Sequence, residues 1–230
     1  MVELSIDASV GDLWRGDAIL AVCEMTVTAN AFASEADFAR EVRALEAELK
    51  ATGKAVLQEA RVQQMRATFR AMPDMDPTRY RPSSEALLRR FLESGFFRIN
   101  PLVDMNNLLS ARLRIPLGIY DLERLPQSQW IYRIGSEGET YQTFSGQAKN
   151  AAGKLVMADE EGIFGSPVAD SGRASITPAT TRIAVVAYLP LDFSMGDAEA
   201  VGTGIEDQFK THFVLKDAVR QIIRNPATER

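Results

Sequence analysis

The distribution of apolar residues changes at Pro116, and this change restricts the fold more than any other feature of the sequence. Before Pro116, apolar residues recur at the three- and four-residue spacing of amphipathic helices. After it, short runs rich in β-branched and aromatic residues alternate with segments rich in Gly, Ser, Pro and Asn, which is typical of strands joined by hairpins. We therefore expect the α/β (α+β) fold class, with helices flanking one mixed, largely antiparallel sheet.

Capping residues locate the start of two predicted helices. Ser34 is a suitable N-cap with acids in the first turn behind it, and Asn100-Pro101 combines a good N-cap with proline at the first helical position. Three prolines in 72–82 predict an ordered loop. The predicted elements are a strand at 18–28, helices at 34–52, 54–71, 83–95 and 100–113, and a helical tail at about 197–225.

The chain of 230 residues predicts one domain over 1–230, because no internal repeat or linker divides it. No run of about twenty apolar residues suggests a membrane span. The start of the chain lacks the basic and apolar regions of a secretory signal. With Cys23 as the only cysteine, no internal disulfide can form, which suits a reducing compartment. We therefore expect a cytoplasmic protein with no membrane partner.

Positive charge is concentrated in one segment of an acidic chain. The formal net charge is −5, whereas residues 61–90 contain seven arginines and three acids and carry +4, which leaves −9 on the rest. The acidic balance argues against non-specific coating of nucleic acid. Every cation in the segment is Arg, whose fork of donors suits carboxylate or phosphate. A salt-bridged helix face and a ligand-binding surface are both compatible with this pattern.

Residues typical of metal or cofactor chemistry are missing from the sequence. His212 is the only histidine and lies within the predicted helical tail, so we interpret it as a packing or surface residue rather than a zinc ligand or a triad member. Neither a P-loop nor a dinucleotide-binding fingerprint occurs. The sequence therefore predicts no metal and no cofactor.

Three polar clusters are candidate binding elements. In RYRPSSEALLRR (79–90), serines open a helix, so free backbone N–H groups there can hold an anion or simply be capped. In INPLVDMNNLLSAR (99–112), asparagines stand in a helix interior against their propensity, which suggests a buried hydrogen-bonding role in ligand binding or in the fold. In FGSPVADSGRASITPATTR (164–182), small polar residues form either a binding loop or a solvated one.

The order of these segments resembles the B3/B4 domain of bacterial phenylalanyl-tRNA synthetase β subunits, and more closely the free-standing B3/B4 proteins of bacteria and archaea. The matching stretches are RYRPSSEALLRR, INPLVDMNNLLSARLRIPLGIYDLERL, WIYRIGSEGETY, LVMADEEGIFGSP and DSGRASITPATTRIAVVAYLP. They span about 65–190, with 1–64 and 191–230 as helical and strand extensions. The resemblance implies a mixed sheet with flanking helices and a pocket between them.

The resemblance also implies an editing role, since this module in synthetases hydrolyses tyrosine wrongly attached to phenylalanine tRNA. Editing pockets of the family carry a histidine in the segment matching LGIYD, where this chain has Gly118. They carry a glutamate after the FG turn, where it has Ala169 followed by Asp170. Asn107 matches the family's asparagine. Because ester hydrolysis needs an oriented water and a polarised carbonyl, these departures remove the obvious catalytic groups.

Three functional hypotheses result. The first is a module that binds an aminoacyl-tRNA 3′ end or an amino-acid-like ligand. The second is a trans-acting hydrolase of mischarged tRNA, with Asp170 or Glu85 positioning water, and the third is a small-molecule enzyme or sensor that no longer binds RNA. We expect Arg81, Asn107 and Asp170 to meet around one hollow between sheet and helices. The predicted ligand-binding residues are Arg66, Arg70, Tyr80, Arg81, Ser84, Asn107, Asp170, Arg173 and Thr177.

Overall fold

Six α-helices and ten strands form the part of the chain that the computed structural model describes, residues 2–14, 17–126 and 129–225. The helices are α1 (Ala8–Trp14), α2 (Glu35–Thr52), α3 (Ala60–Arg70), α4 (Ser83–Ser94), α5 (Pro101–Leu113) and α6 (Met195–His212). The strands are β1 (Leu4–Ile6), β2 (Ile19–Val27), β3 (Leu117–Asp121), β4 (Trp130–Ile134), β5 (Thr140–Gln142), β6 (Ala148–Asn150), β7 (Leu155–Asp159), β8 (Gly162–Gly165), β9 (Arg182–Tyr188) and β10 (Leu215–Arg224). None of these helices is both long and apolar enough to cross a lipid bilayer.

The predicted fold class is confirmed, but the strands are divided between two sheets instead of being gathered in one. Sheet A has the strand order β1-β4-β7-β8, with β1 parallel to β4 and the other pairs antiparallel. Sheet B has the order β10-β2-β9-β3 and is antiparallel throughout. Strands β5 and β6 form a separate two-stranded ribbon. Most strand pairs are thus antiparallel, as predicted. Among the described strands, however, only β5–β6 and β7–β8 are the hairpins of consecutive strands that the turn-rich second half suggested.

Sheet B lies between the helices and sheet A, and this position explains its composition. Alternate residues of β2 join two different cores. Ala21, Cys23 and Met25 pack among the helices, whereas Leu20 and Val22 pack between the two sheets. A strand covered on both faces is largely apolar, which is why 18–23 is a continuous apolar run rather than an alternating one.

The capping residues act as the sequence predicted. Ser34 Oγ accepts a hydrogen bond from Asp37 N–H at 3.2 Å where α2 begins, and Asn100 Oδ1 accepts one from Val103 N–H at 3.2 Å where α5 begins. The predicted helix at 54–71 is interrupted, since a 3₁₀ helix (Gly53–Gln58) precedes α3. The two segments meet at Glu59, whose ψ of 145° is not helical.

The predicted helical tail is wrong beyond His212. Helix α6 ends there, and β10 follows and pairs antiparallel with β2, with Ile222 opposite Ala21. The spacing of apolar residues in this segment is compatible with either structure, so the local pattern does not decide it. The outer edge of β2 does decide it, because its backbone N–H and C=O groups need partners and β10 provides them.

His212 is a packing residue, one of the two roles that the sequence predicted for it. Its ring is buried edge-on to Phe32 and Phe38, with ring centroids 6.5 and 6.3 Å away. Burial lowers the pKa of His212, because a charged imidazolium is poorly solvated there. The residue therefore contributes to the helix-side core.

Candidate ligand-binding cleft

A cavity of about 360 Å³, here called the cleft, opens between α4, α5, β3 and the segment 166–176. Two hydrogen bonds to backbone carbonyls hold its walls. Asn106 Nδ2 on α5 donates to the Leu117 carbonyl of β3 at 3.1 Å, and Ser83 N–H at the start of α4 donates to the Pro167 carbonyl at 2.9 Å. The cleft is therefore assembled from segments that are far apart in sequence and fastened together at its edges.

The cleft has apolar walls and a small set of polar groups. Its apolar side chains include Leu87, Val103, Leu117, Ile119, Val168 and Ile176. Its polar side chains are those of Ser83, Arg90, Asn100, Asn106, Asn107, Ser166, Asp170, Ser171 and Ser175. Among the described residues, no group of three or more His, Cys, Asp or Glu side chains is placed to hold a metal ion. This composition is that of a small-molecule pocket with a few orienting groups.

Among the described residues, Asp170 is the acidic side chain of the cleft lining, and the core residue Tyr120 holds it in place. The Tyr120 hydroxyl donates to Asp170 Oδ1 at 2.8 Å, and Ser166 N–H approaches the same oxygen at 3.3 Å. The hydroxyls of Tyr120 and Tyr188 lie 2.5 Å apart, in the core between the two sheets. A chain of hydrogen bonds thus runs from strands β9 and β3 to a carboxylate on the cleft wall.

Burial raises the pKa of Asp170 to about 7, although the hydrogen bonds from Tyr120 and Ser166 oppose the shift. Burial also raises the pKa values of Tyr120 and Tyr188 well above the usual tyrosine value, and the Asp170 charge adds to both shifts. Both phenols are therefore neutral at physiological pH, while Asp170 is divided between its protonated and ionised forms. A carboxyl group with such a pKa can accept or donate a proton near neutrality.

Two glycines make room for the Tyr120 phenol. A Cβ atom at Gly118 would lie 2.0 Å from the Tyr120 hydroxyl oxygen, and a Cβ atom at Gly165 would lie 2.1 Å from it. Gly118 is the position at which the resemblance expects the histidine of editing pockets. In this chain, any side chain at that position collides with Tyr120, so the tyrosine and the histidine are alternatives rather than partners.

The polar residues of α5 divide into two roles. Asp104 is buried and fastens the fold, because its Oδ1 accepts from Ile99 N–H at 2.7 Å and its Oδ2 pairs with Arg98 at 2.5 Å. Asn106 is also buried; its Nδ2 is used, but its Oδ1 has no hydrogen-bond partner within the described residues. Asn107 lines the cleft. The interpretation as a fold-fastening group therefore holds for Asp104, while a ligand-binding role for Asn107 stays a prediction.

Most of the predicted arginine site lies outside the cleft. Glu85 is buried, and its carboxylate pairs with Arg66 at 2.9 Å, with Arg89 at 2.8 Å and more loosely with Arg81 at 3.9 Å. Ser84 beside it is buried, and Arg70 ends α3 at the surface. The salt-bridged interpretation of the arginine segment therefore describes Arg66, Arg89 and, more loosely, Arg81. The structure brings Asn107 and Asp170 together in the cleft lining and leaves Arg81 outside it.

The other predicted ligand-binding residues occupy separate places. Tyr80 lines a second cavity beside the cleft. Arg173 pairs with Asp159 at 2.7 Å and with Glu161 at 3.1 Å. Thr177 N–H donates to Thr180 Oγ1 at 2.8 Å within its own turn. Of the predicted ligand-binding residues, Asn107 and Asp170 are therefore the two that line the cleft.

Several cleft residues escaped the sequence analysis. Phe144 and Ile99 stand at the cleft with 78% and 58% of their surface exposed, and Arg90 lies beside them. Tyr120 stands within the quoted LGIYD segment, but its burial and its contact with Asp170 depend on folding. For Phe144 a signal existed, because an aromatic residue within a hairpin turn is unusual and exposed apolar residues often mark binding sites.

The helix–sheet–sheet arrangement, with a cleft at the helix–sheet boundary, defines an α+β domain. Residues 67–194 match the family model described as the B3/4 domain, which is more than half of the chain. The protein therefore belongs to the B3/4 domain family, as the resemblance over about 65–190 predicted.

The sequence is also similar to phenylalanine–tRNA ligase beta subunits. The subunit of Bartonella henselae is 26% identical over 180 residues, which are 70% of this chain and 22% of the subunit. The subunit of Bartonella quintana is 30% identical over 109 residues, covering 46% and 13%, and that of Neisseria meningitidis serogroup B is 27% identical over 125 residues, covering 53% and 16%. The chain thus spans about a fifth or less of the length of these relatives.

One solved structure shares a broad likeness with this fold. It is an N-terminal fragment of the phenylalanyl-tRNA synthetase β-subunit from Pyrococcus horikoshii, with a TM-score of 0.44 and 10% identity. The alignment covers 96% of this chain and 50% of the fragment.

Proposed function

We propose that the cleft binds the aminoacyl group at the 3′ end of an aminoacyl-tRNA, or an amino-acid-like ligand of the same chemistry. The observation that carries the proposal is the meeting of Asp170 and Asn107 on one apolar cavity of about 360 Å³. Pockets for small ligands are roughly 300–1,000 Å³ in size, so the cleft is large enough for one amino-acid side chain and its backbone. The similarity to phenylalanine–tRNA ligase beta subunits supports a ligand connected with tRNA.

The polar groups of the cleft favour a ligand that donates hydrogen bonds. Both hydrogen bonds that reach the Asp170 carboxylate within the described residues end on Oδ1, which leaves Oδ2 for a ligand. Asn106 Oδ1 is a second acceptor without a partner in the described part of the chain. An α-ammonium group satisfies such acceptors with charge-assisted hydrogen bonds. The apolar walls would hold the hydrophobic or aromatic side chain of the same amino acid.

Binding of L-phenylalaninamide measured by calorimetry tests the proposal. Asp170→Asn should weaken binding about tenfold or more, because a hydrogen bond to a charged group contributes about 1.5–3 kcal/mol. The matched control is Asp207→Asn, which alters an exposed acid on α6. 3-Phenylpropanamide lacks the amine, so it should bind weakly, and its affinity should be the same for the wild type and for Asp170→Asn. Equal affinity of L-phenylalaninamide for the wild type and Asp170→Asn would refute the amine-binding role.

A second candidate function is the hydrolysis of mischarged tRNA. The pKa of about 7 at Asp170 favours it, since a carboxylate with that pKa can take a proton from water at neutral pH. Deacylation of Tyr-tRNA(Phe) is the test. A rate equal to the spontaneous rate excludes the activity, whereas an enhanced rate that Asp170→Asn abolishes supports it. Glu85 is not a candidate base in this proposal, because its carboxylate is taken up by arginines.

The third candidate function is recognition of a small molecule without RNA. The salt dependence of the binding affinity distinguishes it from the first candidate. The net charge of −5 favours this alternative. Contacts to an RNA backbone release counterions, so the affinity for an aminoacyl-tRNA analogue must fall as salt rises. If that affinity is insensitive to salt and no stronger than that of L-phenylalaninamide, the protein recognises the small molecule alone. A cytoplasmic location stays a prediction from the sequence.

A further inference from the structure

A second cavity of about 210 Å³, here called the basic cavity, lies beside the cleft. The two cavities share Ser166 and Val168 in their linings, so a single ligand can extend from one to the other. Its cationic residues are Arg79, Lys149 and Lys154. Within the described residues, neither Asp nor Glu lines it. Among the described residues, the charged groups of the basic cavity are therefore all cations, whereas the cleft has the acid Asp170 as well as Arg90.

Lys154 is buried without a carboxylate partner in the described part of the chain. Only 9% of its surface is exposed, its Nζ donates to the Ala152 carbonyl at 3.2 Å, and it lies 4.7 Å from the centroid of the Tyr80 ring. Asp74 packs beside Gly153, but no ion pair connects it to Lys154. A buried cation without a counter-charge is destabilising, and a bound anion offsets that destabilisation.

Arg114, another buried cation, differs from Lys154 in having carboxylate partners. Arg114 is buried to a similar extent, with 6% of its surface exposed. It pairs with the carboxylates of Glu48 and Glu59. The fold thus neutralises one buried cation with its own acids and leaves the other, Lys154, beside an open cavity.

The aromatic and arginine groups around Lys154 suit a nucleotide. Arg79 is exposed and lies 5.6 Å from the centroid of the Tyr80 ring, and no ion pair occupies it among the described residues. Tyr141 is held in place, because its hydroxyl donates to the Ala169 carbonyl at 2.9 Å. Several cations around one hollow match the several oxygens of a phosphate, and tyrosine faces can stack on a base or ribose.

We infer that the basic cavity binds a backbone phosphate of a nucleotide chain whose aminoacylated end occupies the cleft. The inference rests on the proposed function for the position of the aminoacyl group. The ligand then carries an ammonium group next to Asp170 and a phosphate next to Lys154, and the two cavities complement these opposite charges. Because Ser166 and Val168 line both cavities, the cavities lie side by side, which is the arrangement that one ligand with both charged groups requires.

Two short probes separate the parts of this inference. The RNA trinucleotide CCA carrying a 5′ phosphate reports on the basic cavity, and L-phenylalaninamide reports on the cleft. Lys154→Met keeps the aliphatic stem of the side chain and should weaken trinucleotide binding about tenfold or more, because one charge-assisted contact is lost. Arg79→Gln alters an exposed residue that the fold does not need and should act in the same direction. Lys216→Met, at an exposed position of β10, is the matched control.

The outcomes distinguish this inference from the proposed function. Loss of trinucleotide binding with retained L-phenylalaninamide binding in Lys154→Met and Arg79→Gln supports it. Unchanged trinucleotide binding in both variants overturns it. If the trinucleotide binds and L-phenylalaninamide does not, the proposed function fails while the phosphate site stands. If adenosine monophosphate binds as tightly as the trinucleotide, the ligand is a free nucleotide and the assignment to a nucleotide chain is overturned.

Discussion

The hydroxyl of Tyr120 lies 2.8 Å from Oδ1 of Asp170 and joins the core between the two sheets to the wall of the cleft. Tyr120 is completely buried, whereas Asp170 retains a surface towards the cavity. A buried core group therefore helps to set the position and the proton affinity of a carboxylate on the cleft wall.

Replacing Tyr120 with Phe should raise the pKa of Asp170 above its value of about 7. The hydrogen bond from Tyr120 stabilises the ionised carboxylate, so its loss favours the protonated form. The free energy of unfolding should also fall by about 0.5–1.5 kcal/mol, since Tyr188 loses a buried partner. Carbon NMR of aspartate-labelled protein measures the pKa, with Asp170→Asn used to assign the signal. Tyr188→Phe is the control and should shift the pKa less; a pKa that falls in Tyr120→Phe would contradict this prediction.

Asp170 should make the stability of the protein depend on pH. Its pKa is raised from 3.8 to about 7 in the folded state, so between these values the folded protein binds more protons than the unfolded chain. The contribution of Asp170 to stability is therefore complete below about pH 4 and is lost as the pH rises towards 7.

Asp170→Asn removes this titration and keeps an oxygen to accept from Tyr120. The difference in free energy of unfolding between the variant and the wild type should therefore be more favourable to the variant at pH 8 than at pH 4, by roughly 1–3 kcal/mol. This range lies below the value that the full pKa shift implies, because solvent in the open cleft screens the charge of Asp170. Urea unfolding at the two pH values measures the difference. Asp207→Asn, on the exposed face of α6, should show no such pH-dependent gain, and an equal gain there would point to a general charge effect.

Gly118→Ala should be destabilising, because the new Cβ would lie 2.0 Å from the Tyr120 hydroxyl oxygen. We expect the free energy of unfolding to fall by about 1–3 kcal/mol or more, as in other overpacked cores. Gly204→Ala on α6 is the control, since a Cβ there has nothing within 4 Å and alanine favours a helix, so it should be neutral or stabilising. Trimming Tyr120 to Ala should reduce the penalty at Gly118, and an undiminished penalty in that background would rule out the collision.

Glu85→Gln should destabilise the start of α4. The substitution leaves Arg66, with only 17% of its side chain exposed, beside a neutral group, and breaking a buried ion pair costs about 3–5 kcal/mol. Because Arg66 keeps some solvent contact, we expect a loss of roughly 2–3 kcal/mol in the free energy of unfolding. Arg81→Gln, whose nitrogen is 3.9 Å from the same carboxylate and half exposed, should change stability by less than about 1 kcal/mol. Similar losses in both variants would show that Arg81 accounts for most of the stabilisation by Glu85 and would contradict this prediction.

Phe144→Ala should leave stability unchanged and weaken the binding of ligands that carry a base. The ring is 78% exposed at the mouth of the cleft, and stacking of a base on an aromatic ring contributes about 1–3 kcal/mol. A stable amide analogue, 3′-(L-phenylalanylamino)-3′-deoxyadenosine, should lose about tenfold in affinity or more, while L-phenylalaninamide should bind as before. Val214→Ala removes another exposed apolar side chain and serves as the control. Equal losses for both ligands would mean that Phe144 contacts the aminoacyl group instead.

Local signals predicted much of the helical half of the protein. Ser34 and Asn100 begin α2 and α5 through hydrogen bonds to residues three positions later, so the sequence pattern was sufficient there. The tail was predicted wrongly because Ile222 pairs with Ala21, some two hundred residues away, and no local pattern carries that contact. The candidate site was predicted in part: Asn107 and Asp170 share the cleft, while Arg81 is drawn towards Glu85.

The amino-acid sequence by itself determined the capped helices, the strand-forming second half and the polar segments that supply the cleft, because those depend on neighbours within a turn or a strand. Only the tertiary structure decided which strand completes sheet B, that Tyr120 covers Gly118, and that Lys154 stays without an acid among the described residues. These features depend on which apolar surfaces from distant parts of the sequence are buried against each other, and on which charged groups have no partner in the packed structure.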